Sequence, residues 1–358
     1  MPSNFHCASV SYTARIFILV SVALTIAASA SANPINTGDV FVSFTRQGVG
    51  QVRHYDSNMN LLETVNTGYG AFPNGMAFDG NGDLFVTNLN DPFISRFSRA
   101  NFAPLPAWST GIYGAEDMLF DGNCNAWVGS TVGGIYKIDP SGTALGTYLP
   151  GQRTDWIDLA SDQKTMLYTH EGQGSDAVLR ADVGGSPPGT PQSDFVPALP
   201  VGPNQIGYAV KFLPDGGILV TDREDIRRYT SAGTPAATPI YDAPGHDNWF
   251  GMALGVGGTS LWAVDLAQQD IVSIDLVTGV PTITPMNDNT VFMGSVIVAG
   301  GYSAAACNAV PEPGNFVLAL IGVSALGMNG CTHRRCAVMA GERAGPRCSM
   351  SGENLCQD

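Results

Sequence analysis

An all-β ring of six four-stranded blades, a six-bladed β-propeller, is the fold this sequence predicts, and three observations predict it. A hairpin pattern returns at a spacing of about forty residues, the period of a propeller blade. The chain of 358 residues contains 43 Gly and 23 Pro and is 44% hydrophobic, so it has enough apolar mass for a core and is punctuated throughout by turns. The opening hairpin lacks an upstream apolar partner, and a spare apolar strand, Gly294 to Ala299, stands near the other end of the repeats.

The chain starts with Arg15 followed by an apolar run, Ile16 to Ala28, and the small-residue exits Ala28-Ser-Ala30 and Ala30-Ser-Ala32. This reads as a cleavable export leader over residues 1–32, because the run is short for a membrane span. The second strands of the repeats follow: Asp39 to Phe44, Asp83 to Asn88, Asn125 to Ser130, Thr165 to His170, Gly217 to Asp222 and Ser260 to Asp265. Apolar first strands precede all but the first, at Gly75 to Phe78, Asp117 to Phe120, Trp156 to Leu159, Ala209 to Phe212 and Gly251 to Leu254. Such strands can be apolar on both faces when they line the centre of a ring. The turns between first and second strands, such as Asp79-Gly-Asn-Gly82, carry residues that tolerate positive φ. Third strands alternate, as in Phe93-Ile-Ser-Arg-Phe97, and looser fourth strands follow. Gly294 to Ala299 is expected to pair beside Asp39 to Phe44 and close the ring within residues 33–303. Gly184 to Pro203 is read as a loop, and a seventh blade has no hairpin to supply it.

Residues 304–309 form a linker. Beyond them come Val310-Pro-Glu-Pro313, an apolar segment from Phe316 to Met328, and Arg334-Arg335. This arrangement resembles the PEP-CTERM sorting signal of Gram-negative bacteria that make extracellular polysaccharide. The resemblance implies an exosortase-type enzyme as a partner recognising Pro311, Glu312 and Pro313. It also implies a short membrane segment within residues 310–335, with Arg334 and Arg335 at its cytoplasmic end, and hence a protein of the cell envelope or matrix. The tail 336–358 departs from the pattern. Within the body, Phe72 to Asn88 and Val210 to Asp222 resemble blades of the NHL-repeat and gluconolactonase-like propellers. In the latter family a divalent metal at the channel mouth is held by Glu, Asn and Asp, and Asn74 with Gly75 matches the motif that supplies the Asn.

Charge narrows the function further. The net charge of −14 repels phosphate backbones and argues against nucleic acid, while favouring cations or neutral polymers such as polysaccharide. In a propeller, residues that start the innermost strand and those that end the second strand converge on one mouth of the channel. Here the first set reads Asn74, Glu116, Asp155, Tyr208, Phe250 and Met293, and the second includes Asn88, His170, Asp222 and Asp265. Glu116, Asp155, Asp222 and Asp265 are therefore candidate ligands for one divalent cation such as Ca²⁺, set against the simpler reading of a solvated acidic rim. Asn74, Trp156, Tyr208 and Phe250 are candidate ligand-binding residues, the aromatic ones by stacking on sugar rings. Asp79-x-Asn81-x-Asp83 and Asp121-x-Asn123-x-Asn125 imitate half of an EF-hand loop but read as hairpin turns. No residue is assigned a catalytic role: no Gly-x-Ser-x-Gly elbow or zinc-protease motif occurs, and His170 and His246 read as rim residues. Cys124 and Cys307, the only cysteines of the body, are read as unpaired thiols because they lie far apart in sequence, with a bridge between them the alternative that export permits. The leading expectation is an exported binding or scaffold propeller, the alternative a metal-dependent lactonase-like or lyase-like enzyme.

Overall fold

The computed structural model describes residues 33–171, 176–199, 206–242, 245–246, 248–286 and 291–307; the leader, the sorting motif and the tail lie outside them. These residues form six antiparallel sheets arranged as the blades of a propeller, all-β throughout. Blade 2 is typical, running from the innermost strand Pro73–Phe78 through Leu84–Asn88 and Phe93–Phe97 to Pro104–Ser109 at the outside. Blade 3 (Ala115–Tyr148) and blade 6 (Trp249–Pro285) repeat that order. In blade 1 the innermost strand is Val291–Val298, which pairs with Val40–Arg46 in the register Val298 to Val40 and Met293 to Phe44.

Blades 4 and 5 depart from the pattern. Their innermost strands, Ile157–Leu159 and Val210–Phe212, have only three residues each. Blade 5 has three strands, and the bridge from Ile226 to Tyr241 marks where a fourth would run. Blade 4 takes its outermost strand, Thr190–Pro191, from the segment read in the sequence as a loop; two paired residues within a Gly- and Pro-rich stretch leave no alternating pattern to detect. The turns Asp79 to Asp83 and Asp121 to Asn125 are hairpin turns, as expected. Asp79 accepts from the backbone N–H of Asn81 and Asp83, and Asp121 from that of Asn123 and Asn125.

Neighbouring blades are clipped together by a repeated hydrogen bond. The penultimate residue of the second strand set carries a buried hydroxyl, and this donates to the backbone carbonyl of the residue that starts the next innermost strand. Ser43 donates to Asn74 (2.7 Å), Thr87 to Glu116 (2.9 Å), Thr169 to Tyr208 (2.6 Å) and Thr221 to Phe250 (2.9 Å). All four hydroxyl residues have zero exposure. Between blades 3 and 4 the position is Gly129, where a Cβ would lie 2.6 Å from the Thr154 carbonyl, so closeness replaces the clip. Gly75 allows an equally close approach between blades 2 and 3, where a Cβ would lie 2.4 Å from Asp117 Cα.

Cys124 and Cys307 are joined by a disulfide with their Cα atoms 4.8 Å apart, which corrects the reading of two free thiols. They are 183 residues apart in sequence, and only the ring brings them together. The clip yields a stability prediction. Thr221→Val keeps the shape but leaves the buried Phe250 carbonyl without its donor and the Ala209 N–H without its acceptor. Urea unfolding should show a loss on the order of 1–3 kcal/mol for this variant and a much smaller one for Thr221→Ser.

Candidate functional site at the channel mouth

The mouth is shaped by a backbone irregularity that recurs in four blades. Pairing of the innermost with the second strand slips by one residue between Pro73 and Met76, Ala115 and Met118, and Trp249 and Met252, and between the partners Val42 and Phe44 in blade 1. A bulge of this kind re-aims the side chain it carries, and the bulged positions hold Asn74, Glu116 and Phe250. The register of blade 1 makes Gly294 their counterpart, one residue beyond the Met293 inferred from the sequence.

Three carboxylates gather here. Glu116, Asp155 and Glu171 each offer an oxygen, and these oxygens lie within 4.8 Å of one another. Asn74 donates from Nδ2 to Glu116 Oε1 at 3.0 Å. Arg153 Nε donates to both oxygens of Asp155 at 2.8 and 2.7 Å, while its Nη2 lies 3.5 Å from Glu171 Oε2. The backbone N–H of Glu171 also donates to Asp155, at 2.5 Å. Asp155 is thus held on all sides, whereas Asn74 Oδ1 is buried without a hydrogen-bond partner among the described residues and the Trp156 indole N–H is directed at Glu171.

Crowding shows in the acid–base properties. Burial, then Asp155, pushes the Glu171 carboxyl up to about 7, although Arg153 and Trp156 oppose the rise. Burial, then Glu171 and Asp155, holds Glu116 well above the usual carboxylate range. Burial also raises Asp155, against the pull of the Glu171 N–H and Arg153. The Tyr208 hydroxyl is raised by burial and by Glu171 and Glu116, with Arg223 opposing, which places it in the field of the same cluster.

The other predicted residues are used differently. Asp222 accepts from the N–H groups of Glu224 and Asp225 and so caps the turn after its strand; burial, then Asp225, pushes it up to about 6. Asp265 accepts from Ala267 and Gln268 and has His246 Nδ1 at 2.6 Å. Neither belongs to the carboxylate group found among the described residues. Trp156 and Phe250 are 1% and 5% exposed and meet edge to face at 5.0 Å, with Tyr208 5.1 Å from Phe250. Burial makes Trp156 and Phe250 a wall of the mouth rather than a free platform for a sugar ring. Sequence reasoning missed Arg153 and Glu171. Glu171 follows His170, the residue at which the aligned set stopped, and its side chain turns inward because blade 4 leaves its second strand already at Tyr168.

The donor set suits a hard cation: carboxylate and amide oxygens from three blades, Asn74 Oδ1 among them buried with no hydrogen-bond partner among the described residues, and three carboxylates beside one hydrogen-bonded guanidinium. No protein-family model and no curated protein matches the chain. Among solved structures it is similar to a chain of the nidogen/laminin complex (13% identity over 74% of this chain and 100% of that one, TM-score 0.55). It is also similar to a gluconolactonase from Xanthomonas campestris (12% identity, 61% and 78% covered, TM-score 0.49). A third neighbour is a catalytically inactive virginiamycin B lyase from Staphylococcus aureus with quinupristin (16% identity, 72% and 88% covered, TM-score 0.47). At 13% identity the first of these likenesses speaks to the fold alone.

The raised carboxyls set a pH dependence for the cation-free protein. A group whose folded pKa exceeds its unfolded value favours folding while protonated in the folded state, so its contribution is full at low pH and is lost as pH rises through the folded value. Glu171, with Asp222 and Asp158 at about 6, should therefore make the protein less stable at pH 7 than at pH 5. Chemical denaturation in chelator at both pH values should show the difference, and Glu171→Gln should reduce it.

Proposed function

We propose that this chain is an exported six-bladed propeller, closed by its C-terminal strand, that binds a ligand at the channel mouth through a divalent cation. The observation that carries the reading is the arrangement of Glu116, Asp155 and Glu171 around one point, with Arg153 the one cation hydrogen-bonded to them among the described residues and with Asn74 Oδ1 unpartnered among those residues. In a low-dielectric mouth this excess of negative charge is relieved either by protons or by a cation. The cation's remaining positions are open to ligand oxygens, and the acidic surface favours a neutral, hydroxyl-rich polymer such as extracellular polysaccharide over an anionic one.

Export is supported by the leader and by the Cys124–Cys307 disulfide, a bond that persists in oxidising compartments. The PEP-CTERM-like segment supports sorting by an exosortase-type enzyme through Pro311, Glu312 and Pro313, with Arg334 and Arg335 on the cytoplasmic side and the body in the envelope or matrix. A second reading, a metal-dependent lactonase-like or lyase-like enzyme, is favoured by one observation. Tyr208 and Arg153 share the mouth with the carboxylates, so groups able to move a proton and to steady an anion stand beside the cation position.

Calcium should raise the melting temperature of the purified protein saturably at pH 7.5 and far less at pH 5.5, where Glu171 holds its proton. Glu171→Gln and Glu116→Gln should each weaken the effect at least tenfold, while Asp265→Asn should leave it in place. An absence of any calcium shift, or one indifferent to Glu171→Gln, would overturn the cation reading. Replacing Pro311 and Pro313 by Ala should block processing and change the protein's location in the producing cell; unchanged processing would sink the sorting reading and leave the mouth unaffected.

A further inference from the structure

We propose that the opposite end of the channel is a second binding site, shaped for a small neutral molecule with an apolar body and one oxygen that accepts a hydrogen bond. A cavity of about 330 Å³ opens there, and Asn74, Glu116, Asp155 and Glu171 are all absent from its walls. An apolar cavity of about 150 Å³ takes up benzene, so this one has room for a ring with a short chain, roughly ten to twelve non-hydrogen atoms. Phe78, Phe120 and Phe212, from the ends of three innermost strands, line it together with Met118, Leu254 and Ile297. Residues 299–303 and 306–307 form its outer wall, fastened by the Cys124–Cys307 disulfide.

The charged side chains of the wall cancel. Asp79 and Asp158 stand against Arg99 and Lys211, and both carboxylates are already engaged, Asp79 by the N–H groups of Asn81 and Asp83 and Asp158 by that of Phe212 at 2.6 Å. An ionic ligand, of either sign, would enter a largely apolar space with no counter-charge left to meet it, and its lost hydration would go uncompensated. Lys211 alone keeps something to offer. Its Nζ has two acceptors, Asp117 Oδ2 and the Ile157 carbonyl, both at 3.5 Å and so both long for an ammonium with three donors. The third N–H has no acceptor among the described residues. Although Lys211 stands in the middle of an innermost strand, 19% of its side chain is exposed, and it lines the cavity. A carbonyl, ether or hydroxyl oxygen accepts from that N–H without adding charge, while a ring and short chain cover the aromatic sides. A plain hydrocarbon fills the same space but leaves the donor unmatched.

Isothermal titration of the full chain at neutral pH with benzylacetone, a neutral ketone, tests the assignment, with hydrocinnamate and phenylpropylamine as an anion and a cation of nearly the same shape. We expect one saturable site for the ketone, at least tenfold weaker binding of either ion, and at least tenfold weaker ketone binding to Lys211→Met. Glu171→Gln, at the other mouth, should leave binding unchanged. Should Lys211→Met fail to fold, Ala306→Trp decides, since this exposed position lines the cavity and a large side chain there obstructs it. Absence of saturable binding, equal affinity for either ion, full affinity in Lys211→Met or Ala306→Trp, or loss of binding in Glu171→Gln would each overturn the proposal.

Discussion

The hydroxyl clip between blades is the interaction on which the rest of the structure depends. A propeller blade is an antiparallel sheet complete in itself, so its ladder hydrogen bonds say nothing about where its neighbour sits. Packing of apolar faces sets the distance between blades but is non-directional. The bonds from Ser43, Thr87, Thr169 and Thr221 to the start of the next innermost strand supply the missing direction. Each is buried, so misplacing a blade by a fraction of a residue would leave a donor and an acceptor unpaired away from water. Register is thereby specified locally at four of the six blade interfaces.

Because the clip grips a backbone carbonyl, the side chain of the same residue is free to vary. That freedom makes the mouth uneven. Across blades 2, 3 and 4 the clipped or closely packed positions carry Asn74, Glu116 and Asp155; across blades 5, 6 and 1 they carry Tyr208, Phe250 and Gly294. The polar half collects charge that the scaffold does not neutralise, and the aromatic half excludes water from one side of it. A lowered local dielectric strengthens every charge interaction in the mouth, which is why carboxyls only partly compensated by Arg153 hold their protons so far above the usual range.

Much of the fold was legible because turn chemistry and strand period are local. Asp79-Gly-Asn-Gly82 and its relatives mark hairpins whatever surrounds them, and repetition converts hairpins into blades. What escaped was non-local or depended on a count of one. The disulfide joins residues that only the ring brings together, and nothing in the neighbourhood of Cys124 or Cys307 announces a partner. Glu171 lies one position past an aligned set, and Arg153 two positions before another, so both fall outside any column that a repeat alignment defines. Asp222 and Asp265 illustrate the opposite limit. Both stand where a second strand ends, but an Asp there, followed by a tight turn, can spend its oxygens on backbone N–H groups two and three residues on, and both do. Residue type and position alone do not distinguish a ligand from a turn cap.

The two ends of the channel are finished by different means, and the weakest part of the ring explains why. Blades 4 and 5 have innermost strands of three residues, too short to bury much apolar surface of their own. Part of the deficit is met by carboxylates reaching between blades, Asp117 to the Ile157 N–H and Asp158 to the Phe212 N–H. The rest falls to the strap that follows the last strand. Ala305 packs with the core between blades 3 and 4, Ala304 with that between blades 4 and 5, and Cys307 with that between blades 2 and 3. Small side chains bury little area, roughly 1 kcal/mol or less each, so contacts alone hold such a strap loosely. A covalent bond across 183 residues restricts the unfolded chain by on the order of 5 kcal/mol in the loop-entropy account. The disulfide thus secures a strap too sparsely packed to secure itself, over the blades that need it most, and it does so at the end away from the carboxylate mouth.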